Sequence, residues 1–191
     1  MPKIAIALQQ DFADWEPALL MAAARYYLNC EVLTASPDGE SLTSMGGLKI
    51  SPDLSYDALV PSDFDALVIP GGYAWEKGKA FDFTPMLRAF VRENKVVAGI
   101  CAAASALAES GILDGVDHTG NSLASHQRQP GYHGSAFYRD QPQAVRAGKI
   151  VTAAGFAPDT FAIEVLKALE LYGPEAEAEL SGFSAEHRGR A

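Results

Sequence analysis

The hydrophobic positions of this chain fall into short continuous runs, separated by segments of helical length. Residues 3–8 (KIAIAL), 31–35 (EVLTA), 66–69 (ALVI) and 96–100 (VVAGI) are apolar runs of strand length. Continuous rather than alternating runs predict strands buried on both faces. Residues 15–28 (WEPALLMAAARYYL) predict a helix, with Pro17 in its first turn, where a missing N–H costs nothing. Residues 82–94 predict a second helix, capped by Asp82 or Thr84 with Pro85 at its start. Residues 102–110 and 158–172 predict two more, the latter amphipathic. The β-α-β opening and the continued alternation predict an α/β three-layer sandwich. Its sheet is mostly parallel and flavodoxin-like, with helices on both faces.

Turn chemistry interrupts the alternation in three places. Pro37-Asp38-Gly39 and Gly46-Gly47 predict a small β-hairpin excursion within 36–53. Residues 144–153 predict a second hairpin around Gly148. Residues 121–142 are polar and aperiodic, and read as an irregular segment that is either functional or mobile. Residues 173–191 read as a polar tail. No repeat or linker divides the 191 residues, so a single domain over 1–191 is expected.

Composition narrows the function. A formal net charge of −9 and the lack of a Lys/Arg stripe argue against nucleic acid as a partner. No apolar run approaches the ~20 residues of a membrane span, and Ile4–Leu8 is too short for a signal core. A cytoplasmic location is therefore the default expectation. The two cysteines, Cys30 and Cys101, make neither a disulfide framework nor a Cys-rich zinc site. No metal-ligand spacing, G-x-G-x-x-G or Walker loop occurs, so no metal and no cofactor is expected.

In open parallel sheets, sites lie beyond the carboxyl ends of the strands. Cys101 lies there, between a buried run and a helix start. The positive end of a helix favours thiolate over thiol, and Ala102, Ala103 and Ala104 place no bulk beside it. A small, inert core cysteine is the plain alternative. Pro70-Gly71-Gly72 ends the neighbouring strand, and its amides, with that of Ala102, suit an oxyanion hole. Glu16, Asp11 and Asp14 all follow the first strand and compete as the acid partner. Of His118, His126, His133 and His187, none is adjacent to Cys101, and each reads as a solvated or structural histidine.

Taken in order, KIAIAL, ADWE, ALVIPGG, VVAGICAAASALAESGILDG, HTGN and IVTAAGFAPDTFAIEVLKAL resemble the ThiJ/PfpI superfamily, whose fold is that of class I glutamine amidotransferases. The pattern is similar to its bacterial general-stress branch. The resemblance implies that Cys101 is the reactive cysteine and Glu16 its partner acid. It implies that Gly72 and Ala102 supply oxyanion-hole amides, and that Thr119 and Asn121 pass beside the cysteine. Gly71, Tyr73 and His126 are expected to line the site. It also implies a homodimer.

The departures matter equally. Protease-like members carry a histidine after the cysteine, where this chain has Ala102, and glutaminases a late His-x-Glu pair, where it has Thr152–Phe156. Members linked to human parkinsonism carry a histidine where this chain has Gly120. Neither protease nor glutaminase activity is therefore expected. Three functions remain: a stress-related enzyme acting on a small carbonyl or amide substrate, a redox-sensing stress protein whose Cys101 is oxidised by a small oxidant without turnover, or a binding module that keeps the fold without the chemistry.

Overall fold

The computed structural model describes residues 1–185. A seven-stranded sheet has the order β5-β2-β1-β6-β7-β9-β8. Its strands are β1 (Lys3–Ala7), β2 (Glu31–Ser36), β5 (Leu54–Ser55), β6 (Ala66–Ile69), β7 (Val96–Ile100), β8 (Val145–Ala147) and β9 (Ile150–Ala153). All pairings are parallel except β8–β9, which closes one edge as an antiparallel hairpin. The excursion within 36–53 is a separate two-stranded antiparallel sheet, β3 (Leu42–Thr43) with β4 (Lys49–Ile50). The flavodoxin-like sandwich and the hairpin excursion are both present.

The apolar runs are continuous because each strand has a helical layer on either side. In β1, Ile4 and Ile6 pack with one layer, and Ala5 and Ala7 with the other. In β7, Val96, Ala98 and Ile100 join the first layer and Val97 the second. The first layer holds α1 (Trp15–Ala22) and α6 (Pro158–Ala168), through Leu20, Phe161 and Val165. The second holds α3 (Thr84–Arg92) and α4 (Ala102–Glu109), through Leu87, Phe90, Ala103 and Leu107. Removing this apolar surface from water at roughly 25 cal/mol per Å² is the main stabilising term.

Three local expectations are corrected. The helix after β1 leaves α geometry at Ala22 and continues as a π-type turn over Ala23–Tyr27. The segment 121–142 is not wholly irregular: it holds the short helix α5 (Leu123–Gln127) and a 3₁₀ turn at Ser135–Phe137. Ser122 caps α5, its Oγ accepting from the Ser125 N–H at 3.2 Å. The region read as a tail begins with the helix α7 (Pro174–Ala185), which buries Ala176 and Leu180. These two are four residues apart, one turn of a single face. His187 lies outside the described residues. No helix among the described residues is long and apolar enough to cross a membrane.

Candidate active site

The site is built where three parallel strands end. The carboxyl end of β6 runs into Pro70-Gly71-Gly72, which leads into the one-turn helix α2 (Tyr73–Glu76). The end of β7 runs into Cys101, and the end of β9 into Ala154-Gly155. Cys101 has φ 60 and ψ −127. Positive φ is costly for a residue with a Cβ, of order 1–3 kcal/mol, and persists where the surroundings over-determine it. Here the Cys101 N–H is tied to the Ala153 carbonyl (2.9 Å), and α4 begins at the next residue. The side chain is thereby lifted above the sheet edge, partly exposed.

Two glycines make room for the sulfur. A Cβ on Gly155 would stand 2.7 Å from Sγ and 3.2 Å from Glu16 Oε1. A Cβ on Gly71 would stand 2.8 Å from the Cys101 Cβ and 2.9 Å from the Ala102 nitrogen. Real side chains do not approach so closely, so both positions need glycine.

The competition among the three acids is settled by their partners. Asp14 accepts from the Ser44 hydroxyl and from the Gly46 N–H (2.7 Å), anchoring the β3–β4 excursion. Asp11 pairs with Lys77 at 2.8 Å. Glu16 alone turns inward. It is fully buried, and its Oε2 accepts from the Gly71 N–H at 2.6 Å. Its Oε1 lies, like the Cys101 sulfur, against Gly155, and no N–H or hydroxyl reaches it. Burial holds the Glu16 carboxyl up at about 7, against the pull of the Gly71 amide.

Burial and the charge of an ionised Glu16 together push the Cys101 thiol up to about 11. The Asn121 donor pulls it back only in part. The thiolate is therefore favoured when Glu16 carries the proton, because its charge then no longer opposes the sulfur's.

The remaining expected residues divide into neighbours and supports. Asn121 touches the sulfur: its Nδ2 donates to Sγ at 3.3 Å and its Oδ1 accepts from the Gly155 N–H at 3.0 Å. Gly72 pairs with Phe12, but the bonds run from Ala13 N to Gly71 O and from Tyr73 N to Asp11 O. Those flanking bonds leave the Gly72 N–H turned away from Phe12. The Gly71 N–H, by contrast, is spent on Glu16. Tyr73 is half exposed at the rim, with Lys77 over its ring. Thr119 is buried and holds its segment to β9, its N–H donating to Thr152 Oγ1 (2.8 Å).

His126 is fully buried against Gly120, inside a cage of His118, Tyr132 and Tyr138. Burial holds it down at about 4, so it is neutral. Its ring occupies the space a side chain at position 120 would fill. His118 is bonded to Val116 O and to the Tyr132 hydroxyl. Among the described residues, no histidine hydrogen-bonds to Cys101. Trp15 was not foreseen from the sequence, yet its indole N–H donates to the Gly155 carbonyl at 2.8 Å. An open groove of about 1000 Å³ reaches the site at Ala102 and Asn121, between α4 and the aromatic wall of Trp75 and Phe81.

Comparison with known proteins agrees with this fold. Residues 2–168 match the DJ-1/PfpI family, and the chain belongs to it. The crystal structure of a DJ-1 superfamily protein from Agrobacterium tumefaciens superposes with a TM-score of 0.96 at 64% identity, covering 98% of this chain and 100% of that one. The uncharacterized protease YoaZ of Bacillus subtilis is 33% identical over 91% of this chain and 86% of its own length. The deglycase PfpI of Pyrococcus furiosus is 36% identical over 44% of this chain and 52% of its own.

Proposed function

We propose that this protein is a stress-related, cysteine-dependent enzyme acting on a small carbonyl or amide compound. Cys101 is the nucleophile and Glu16 its proton partner. The observation that carries the reading is the pairing of a fully buried carboxyl, with one oxygen unspent, against a partly exposed thiol at a strained elbow. A buried acid held near neutrality keeps a proton to give at physiological pH. From the form with the proton on Glu16 and Cys101 as thiolate, Sγ adds to the carbonyl carbon as the Glu16 proton passes to the carbonyl oxygen, giving with an aldehyde a neutral thiohemiacetal and an ionised Glu16. The N–H groups of Gly72 and Ala102 hold the oxygen while charge develops on it. The deglycase name of the Pyrococcus relative supports the carbonyl class. The absence of an imidazole on Cys101 among the described residues weighs against protease chemistry, whatever relatives are named.

That same absence favours a second reading, in which Cys101 is a redox sensor oxidised to sulfenic or sulfinic acid without substrate turnover. One preparation separates the two. Methylglyoxal consumption is followed for wild type and Cys101→Ser, and the intact mass of wild type after mild peroxide is compared at Cys101 and Cys30. Turnover abolished in Cys101→Ser supports the enzyme. No turnover with fast oxidation of Cys101 supports the sensor. Equal rates in wild type and variant would sink the enzyme reading, and equal oxidation of both cysteines the sensor.

A further inference from the structure

The sulfur at position 101 lies at the end of a hydrogen-bond relay in which every link has a fixed direction. The Trp15 indole can only donate, and it donates to the Gly155 carbonyl at 2.8 Å. The Gly155 amide can also only donate, so the Asn121 atom it meets at 3.0 Å must be the oxygen. The other half of the Asn121 amide, the NH₂, is then the half that faces Cys101 Sγ at 3.3 Å. The orientation of an amide is usually ambiguous. Here the neighbouring backbone removes the ambiguity.

We propose that Asn121 takes the place of a histidine at this thiol, as a donor that holds the sulfur anion but cannot accept its proton, and that Trp15 acts through Gly155 as a positioning residue for it. A primary amide does not titrate at working pH, so Asn121 stabilises S⁻ without competing for the proton, which is left to Glu16. The groups packed on the sulfur from each side fit this division. Glu16 on α1 is the titratable one, while α4, the turn after β6 and the turn after β9 present Ala102, Gly71 and Gly155. Trp15 and Glu16 are consecutive on the first turn of α1. One helical turn thus sets both the proton partner and, across 140 residues of sequence, the direction of the donor.

The inference rests on Cys101 being the reactive centre, but its test needs no substrate. The ultraviolet absorbance of the thiolate is titrated against pH, each protein being referenced to the same protein with Cys101→Ser. In Asn121→Ala the thiolate fraction at a fixed pH below the midpoint should fall about tenfold, one pH unit in the midpoint. In Trp15→Phe, which keeps an aromatic ring and removes the N–H, it should fall about two- to threefold in the same direction. A titration of Asn121→Ala that coincides with wild type would overturn the donor role. A titration of Trp15→Phe that coincides would overturn the relay, and this variant also serves if Asn121→Ala does not fold. Wild type that turns over no carbonyl, yet shows both shifts, would sink the enzyme reading and leave this one standing.

Discussion

Cys101 was legible as a candidate because it lies directly after a buried run and before a helix, although position alone left an inert core cysteine equally open. Glu16 was less so, since Asp11 and Asp14 sit on the same turn and only their partners in space separate the three. The resemblance placed Asn121 beside the cysteine without giving its contact, and Trp15 escaped altogether, for one reason. Their roles depend on Gly155, which is 34 residues from one and 140 from the other. No local pattern encodes such a contact, although a glycine two residues past a strand end was a signal available in the sequence. Gly155→Ala tests the crowding at this point. The new methyl would meet Sγ at 2.7 Å, so the thiol must shift from its place. The expected result is a fall of about tenfold or more in the alkylation rate of Cys101, with thermal stability lowered by about 1–3 kcal/mol.

At the scale of elements, the buried strands and the helices beginning at Trp15, Thr84, Ala102 and Pro158 follow from the apolar runs and their prolines. What the pattern hid were short elements held by tertiary contacts. The helix α5 is one capped turn over five residues, too short for a periodicity to register. Half of helix α7 is glutamate or alanine, its buried face is Ala176 and Leu180, and the segment reads as a tail. Leu180 nevertheless joins the core layer of α1 and α6. Leu180→Ala should therefore cost about 2–4 kcal/mol in thermal or denaturant unfolding, with Cys101 reactivity in the folded protein unchanged. A cost below ~0.5 kcal/mol, the value for an exposed helix position, would show that α7 does not belong to the core.

Across the whole molecule, two buried groups set opposite pH slopes. Glu16 is held at about 7 against 4.5 for a free side chain, so the folded state keeps a proton that the unfolded state loses. Its contribution to stability therefore falls as pH rises from about 4.5 to about 7, by up to ~3 kcal/mol. His126 is held at about 4 against 6.5, so the unfolded state binds a proton that the folded state refuses. Its contribution falls as pH drops from about 6.5 to about 4. In wild type the two slopes oppose one another between about 4.5 and 6.5. Glu16→Gln removes the first and keeps an oxygen for the Gly71 N–H. Its unfolding free energy should rise steadily with pH up to about 6.5 and exceed that of wild type at pH 8. Parallel curves for the two proteins would show that Glu16 is not held protonated in the fold.

The claim on which the whole account turns is that Glu16 and Cys101 share a proton. It is tested most directly by the pH dependence of Cys101 carboxymethylation in wild type and Glu16→Gln, read by mass with buried Cys30 as the internal reference. In wild type, the pair should lose its first proton near pH 7 and its second towards pH 11, giving a two-step rise in rate. In Glu16→Gln there is no partner proton and no carboxylate charge, so one step is expected, with its midpoint below 11. A single transition of the same midpoint in both proteins, or a Cys101 no more reactive than Cys30, would contradict the account.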